Sequence, residues 1–361
     1  MTHTKLWGRV FLATALALVV ASAPAMALED ISFNEVKTFT HSSGPEMDLE
    51  SVAGDVTYRG VPGATETTVE IVIEVRAADE EEARRIVDAV EIVVEGTTDH
   101  LEAYVDRPDD FGRMLRKRYG RDREIAVSFH VTGPATAKGS LSSVSGFVKA
   151  ELVAGPLNLS SVSGDVMARD VQERVRANSV SGQVSVTDCH TDVRVKSVSG
   201  DVVVGNCGGD LEAESVSGGL AIKDVVGRAE ISSVSGDVDA TEVGGTLRAH
   251  TTSGQIDVSH HSGDLQLETV SGDIVARSES TDGTLELSSH SGSVRLYADI
   301  TQIGKVDLST FSGNMRVDSD LDHRNALERA RGRGSLSFTL GDGDLYVDMN
   351  THSGDIYVGE L

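Results

Sequence analysis

Apolar residues along most of this chain follow a short, repeated rhythm. After a glycine or its equivalent, apolar side chains stand two, four and seven positions on. From Gly200 these are Val202, Val204 and Cys207, and from Gly209 they are Leu211, Ala213 and Val216. The plus-two, plus-four alternation predicts a short strand with one buried face. The plus-seven residue predicts a third inward point after a bend. Fourteen such positions lie between Val153 and Val270; ten are Val, and the others are Cys189, Cys207, Thr252 and His261.

The punctuation is stricter still. Ser-Val-Ser-Gly, with close variants, places its glycine at Gly146, Gly164, Gly182, Gly200, Gly218, Gly236, Gly254 and Gly272, at constant intervals of 18 residues. The ladder then loosens to Gly292, Gly313 and Gly354, with an irregular insertion at about 320–334. A fixed period of this length is the signature of a repeat fold. Each 18-residue unit is two nonamers, since Gly155, Gly209, Gly227, Gly245 and Gly263 fall halfway. The expected architecture is an all-β solenoid, or β-roll: one strand and one turn per nonamer, two nonamers per coil, and two parallel sheets facing across a thin core. Coils would stack about 4.8 Å apart, so equivalent residues form columns. Glycine would supply turns with positive φ. The column Ser143, Ser161, Ser179, Ser197, Ser215 and Ser233, continued by Thr251 and Thr269, would form a hydroxyl ladder.

Residues 28–133 do not follow the period, although Ser51-Val-Ala-Gly-Asp-Val56 is an early copy of the motif. Val69, Ile71, Ile73 and Val75 predict one face of a strand. Asp79 with Glu82 predicts a helix start, and Ala83, Ile86, Val87 and Val90 share a helical face. Further strands are expected near 91–95, 101–105 and 125–131. This region reads as a small α+β cap over the first coil, because an uncapped terminal coil exposes unpaired strand edges. The solenoid proper would run over 134–361.

Charge and composition narrow the function. The chain of 361 residues has 57 Asp+Glu against 32 Lys+Arg, a net charge of −25. Such a surface is unsuited to nucleic acid, which needs phosphate neutralisation. The residue after each marked glycine reads Asp165, Gln183, Asp201, Gly219, Asp237, Gln255, Asp273, an alternation that reads as a device for solubility. A calcium-dependent roll ranks low, since acidic residues skip every second coil and the Gly-rich calcium turn is absent. His261, His290 and His352, with His260 adjacent, read as polar corner residues rather than metal ligands. Cys189 and Cys207 are one coil apart in one column, within disulfide reach, and an inter-coil bridge is expected. Arg113, Arg116, Lys117, Arg118, Arg121 and Arg123 form a basic stretch, read first as a solvated connector and second as a patch for an anionic partner. Aromatics are 4% of the chain, and the constant coil length leaves no long loops to wall a groove, so no catalytic residues and no cofactor are expected.

The first 27 residues read as a signal peptide. Lys5 and Arg9 precede the apolar run from Val10 to Ala21, and Ala25-Met-Ala27 is a small-x-small cleavage site. The mature chain is then expected in the periplasm or at the cell surface.

The early motif, the strand–helix insert, the Phe129–Pro134 segment leading into Leu141-Ser-Ser-Val-Ser-Gly146, and the repeats together resemble the bacterial putative-adhesin family of exported β-strand-repeat proteins. That resemblance implies a cell-envelope protein, adhesive or scaffold-like, and some relatives are associated with envelope-stress responses. The leading reading is a non-enzymatic binding scaffold presenting Ser, Thr and Asp ladders to an envelope protein, cell-wall polymer or surface glycan. The alternative is an envelope-stress or signalling module that docks another envelope protein through the cap, the basic stretch or an exposed last strand near Ile356–Val358.

Overall fold

The computed structural model describes residues 31–41, 46–97, 99–106, 124–317 and 334–361. It divides into two compact units, Met1–Glu173 and Arg174–Leu361. The signal segment, the basic stretch 113–123 and nearly all of the expected insertion lie outside the described residues.

In the first unit, strands Glu46–Ala53 and Val56–Val61 form a complete coil around Gly54. They pair in parallel with Lys138–Ser145 and Val148–Val153 of the next coil. The early motif is therefore the first coil of the solenoid, and the cap is inserted after it except for its strand Ile31–His41, which precedes it. On one sheet the cap adds Glu124–Pro134 parallel to Val56–Val61, followed by the antiparallel strands Thr67–Ala77 and Ile31–His41. On the other it adds His100–Asp106 and then Glu91–Gly96. Val69, Ile71, Ile73 and Val75 are all buried, as their alternation requires. Helix Glu80–Val87 starts at Asp79, whose carboxylate accepts the Glu82 amide at 2.7 Å. Glu82 accepts the Ala78 amide at 2.6 Å, one residue before the N-cap, a variant of the reciprocal capping box. Ala83, Ile86 and Val87 form its buried face, while Val90, expected on the same face, is buried just beyond the helix end.

The described strands of the second unit are solenoid coils, apart from the antiparallel strand Gly334–Thr339. Parallel pairs run in strict 18-residue register, for example Val184↔Val202, Val202↔Leu220 and Val193↔Leu211. Its interior is a column of Val, Leu, Ile and Ala with at most a few per cent exposure.

The last coils break chain order. Strands Leu345–Ser353 and Ile356–Glu360 do not sit at the end. Leu345–Ser353 pairs with Thr284–Ser291 on one side and Ile303–Ser312 on the other. Ile356–Glu360 likewise pairs with Val294–Ala298 and with Met315–Val317. The final coil is thus threaded between two coils that precede it. Ile356 and Val358 are 1% and 0% exposed, so the edge expected there does not exist. The far strand of the other sheet is Gly334–Thr339, antiparallel to Ile303–Ser312.

The marked glycines serve a different purpose from the one expected. Positive φ falls instead on Leu152, Asp170, Asp188, Asn206, Asp224, Glu242 and His260, between 53° and 59°. These are mostly residue types that tolerate the left-handed region. Gly200 and Gly218 are required by close approach, because a Cβ on either would run into the carbonyl oxygen of the marked glycine one coil before.

Candidate functional site

The Ser-Val-Ser-Gly corner contains the main departure from expectation. Its first serine is buried at 4–5% exposure in the columns Ser179, Ser197, Ser215 and Ser233. The hydroxyl accepts the amide of the glycine three residues on, at 2.9 Å for Gly182 and Gly200, 3.0 Å for Gly218 and 2.8 Å for Gly236. Thr251 and Thr269 donate to the carbonyls of Gly236 and Gly254, both at 3.3 Å. The hydroxyl ladder therefore stitches the corner internally and is not presented to a partner.

The valine of the motif faces outward. In the second unit Val180, Val198, Val216 and Val270 are 43% exposed and Val234 47%. Of the fourteen plus-seven positions, only those at the opposite corner point inward: Val171, Cys189, Cys207, Val225, Val243 and His261 are buried, as is Val153. Backbone bonds continue through the ridge, with the Ser199 amide on the Val180 carbonyl and the Ser217 amide on that of Val198, both 2.9 Å. The ridge is thus a rigid, uncharged line of side chains on a strongly acidic chain. Thr252 interrupts it, and three stacked rings end it. His290 and His352 stack at 4.9 Å, and His352 and Phe311 at 4.7 Å, with nearly parallel planes. The rings follow the threaded order of the coils.

The alternating aspartates bond the backbone. Asp201 accepts the amide of Gly219 at 2.9 Å, Asp237 that of Gln255 at 2.8 Å, and Asp273 that of Ser293 at 2.8 Å. Each carboxylate thus caps the neutral residue one coil on, a stronger reason for alternation than mutual repulsion. Asp210 and Asp264 do the same at the other corner, for Arg228 and Thr284. Among the described residues no group of three or more metal-ligating side chains converges.

The inward corner holds the cysteines, beside an open cavity of about 680 Å³ lined by Asp188, Cys189, Asn206, Cys207, Asp224 and Glu242 among others. Cys189 and Cys207 are Cα partners on adjacent strands, as expected, yet no bridge joins them and each keeps its thiol. Their sulfurs turn to different carbonyls: Cys189 to Thr187, and Cys207 to Thr191 and Gly209. Burial also pushes the Cys207 thiol up, away from the reactive thiolate. Alkylation of the denatured, unreduced protein is therefore expected to label two thiols per chain. Labelling of none would restore the inter-coil bridge.

His261 is no solvent-facing corner residue. It is fully buried in the valine column, with Nδ1 2.9 Å from the Val243 carbonyl and Nε2 3.1 Å from that of Asp264. Burial holds its pKa below the usual value, against the pull of those carbonyls. The unfolded chain then binds the proton more readily, so stability present above about pH 6.5 is lost as pH falls. His261→Val should flatten that acid limb, since the Val243 carbonyl keeps the Ser262 amide at 3.2 Å. Urea midpoints from pH 7 to 5 check it; a steeper acid limb in the variant would mean that the imidazolium is the native form.

In the first unit a nearly buried carboxylate ties the outer sheet face together. Glu151 meets Lys149 at 2.7 Å, Arg169 at 3.1 Å and Arg59 at 3.5 Å, and these cations, Lys149 foremost, hold it below the usual carboxylate range.

The fold and its corners define an all-β solenoid of 18-residue coils with an uncharged ridge along one corner. Residues 134–244 and 230–359 match the Toastrack DUF4097 family model, and the chain belongs to that family. No curated protein matches it. Solved structures that match include a putative cell adhesion protein from Clostridium sporogenes ATCC 15579, at 9% identity over 90% of this chain and 100% of that one, with a TM-score of 0.23. A putative adhesin from Parabacteroides distasonis ATCC 8503 matches at 14% identity over 91% and 97%, TM-score 0.26. Another, from Bacteroides fragilis NCTC 9343, matches at 13% over 90% and 96%, TM-score 0.25.

Proposed function

We propose that this chain is an exported, non-enzymatic binding scaffold of the cell envelope, adhesin-like in action, whose contact line is the valine ridge. The observation that carries the reading is the row Val180, Val198, Val216 and Val234, held outward at one residue per coil. An apolar line set in a rigid, hydrogen-bonded frame loses little conformational entropy on binding. Contiguous exposed apolar surface of this kind marks interaction sites. The apolar run from Val10 to Ala21 and the Ala25-Met-Ala27 site support export. No helix among the described residues is long and apolar enough to cross a membrane.

The partner is an envelope protein, a cell-wall polymer or a surface glycan. The alternative reading loses one of its three docking routes, and the calcium reading gains no support. Docking through a free last strand fails because that strand is interior. The calcium ladder keeps its low rank, since one oxygen of each of Asp201 and Asp237 already accepts a backbone amide.

Binding of the purified mature chain to envelope fractions and whole cells tests the proposal. The variant V180S/V198S/V216S/V234S should keep its fold by circular dichroism and lose binding by about tenfold or more. Undiminished binding would overturn the ridge as contact line, and absence of wild-type binding would overturn the scaffold.

A further inference from the structure

We propose that the outer sheet face of the Arg174–Leu361 unit carries a site for carboxylate-bearing polysaccharide, built from Arg277, Arg295, Tyr297, Arg316 and Tyr357. The proposal rests on the reading of the chain as a binding scaffold and gives that scaffold a ligand class. The five residues lie on four adjacent parallel strands: Ile274–Ser278, Val294–Ala298, Ile356–Glu360 and Met315–Val317. One row across the sheet reads Arg295, Tyr357, Arg316; the next reads Arg277, Tyr297, Gly359. Threading of the last coil creates this pattern, because it seats Tyr357 between two arginines that would otherwise be neighbours.

The contacts form a continuous plate. The Tyr297 and Tyr357 ring centroids are 5.5 Å apart, with the ring planes tilted by 58° to one another. The Arg277 guanidinium lies 5.6 Å from the Tyr297 centroid, and that of Arg316 lies 5.8 Å from Tyr357. Gly359 permits this arrangement: a Cβ there would stand 2.7 Å from the Tyr357 ring, so only glycine lets the ring lie down across its strand. Arg277 engages Asp257 at 2.9 Å and Arg295 engages Asp273 at 3.2 Å, each through one nitrogen. Those single contacts orient the forks and leave further N–H donors for a ligand.

The rest of the same face has a different chemistry. Its outward positions in the preceding coils are Ser185, Thr187, Val203, Gly205, Ala221 and Lys223, followed by Asp239, Thr241, Asp257 and Ser259, with a single cation and no aromatic ring. Three guanidiniums and two phenol rings gathered on a chain of net charge −25 select an anionic partner locally while the remaining surface repels one. A planar carboxylate fits the guanidinium fork in bidentate fashion. The apolar C–H face of a sugar ring fits a phenol ring, and the stacked arginines hold both groups in place. A uronate polymer offers both features in every residue.

Affinity electrophoresis of the mature chain through gels containing polygalacturonate, dextran or dextran sulfate tests the site. Retardation by polygalacturonate and not by dextran is expected. R277Q/R295Q/R316Q should lose about tenfold in affinity and Y297A/Y357A about fivefold, with circular dichroism unchanged. Absence of wild-type retardation, or retardation unaltered in either variant, would overturn the proposal. So would equal retardation by dextran sulfate that ignores the tyrosines, which would reveal a plain anion surface. The ridge variant should bind polygalacturonate as wild type does. Cell binding that is lost with the ridge but untouched by both plate variants would leave the scaffold standing and remove this ligand.

Discussion

Val358→Asp is expected to destabilise the Arg174–Leu361 unit by about 3–5 kcal/mol, the range for an uncompensated buried charge. Val358 is fully buried, with Leu296 and Val317 as its Cα partners on either side. The aspartate would sit between two strands and inside a column of Val, Leu and Ile. A free terminal strand would instead let one flank open to water and accept the charge for a fraction of that. Urea denaturation of wild type and variant measures the difference. A loss below about 1 kcal/mol would place the strand at an edge.

The threading that makes this site costly could not be read from the sequence, and the reason is specific. Constant 18-residue spacing fixes which coil follows which only while the spacing is constant. The intervals to Gly292, Gly313 and Gly354 vary, and each glycine fits equally against any other marked glycine. The observed contacts place Gly313 against Gly354 and Gly354 against Gly292. The Arg–Tyr plate was hidden for the same reason, since Tyr357 and Arg295 are distant in the chain.

Elsewhere the sequence was explicit. The coils from Gly146 to Gly272, the capping box at Asp79 and Glu82, and the strand alternation at Val69–Val75 all follow from residue pattern. The orientation of the corner valines did not, because valine occupies both corners and its β-propensity is blind to which side is wet. A usable signal lay one residue earlier. Val171, Cys189, Cys207, Val225 and Val243 follow Asp170, Asp188, Asn206, Asp224 and Glu242, which take positive φ and turn the next side chain inward. The outward valines follow a buried serine instead.

Gly218→Ala is the second large expected effect, about 3 kcal/mol, at the upper end of ordinary single substitutions. The new methyl would collide with the Gly200 carbonyl and crowd the Asp201 amide at 2.9 Å, forcing adjacent coils apart at a hydrogen-bonded corner. The next residue is the control. A Cβ on Gly219 meets only Asp201 Oδ1 at 3.7 Å and the Asp237 carbonyl at 3.9 Å, ordinary contact distances. Gly219→Ala should therefore change stability by less than about 0.5 kcal/mol. Thermal and urea melts of the two variants decide it. Equal effects would mean that glycine is needed here for flexibility rather than for close approach.

The order of the last coils underlies both the buried terminus and the polysaccharide plate, and short-range thiol cross-linking reads it directly. In a C189V/C207V background, three pairs are compared: R295C/Y357C, Y357C/R316C and R295C/R316C. A bifunctional reagent spanning one inter-strand spacing of about 4.8 Å, but not two, distinguishes neighbours from next neighbours. The threaded order predicts rapid cross-linking of the first two pairs and none of the third. Cross-linking of R295C/R316C, with Y357C/R295C unreactive, would show the coils stacked in chain order and contradict the account.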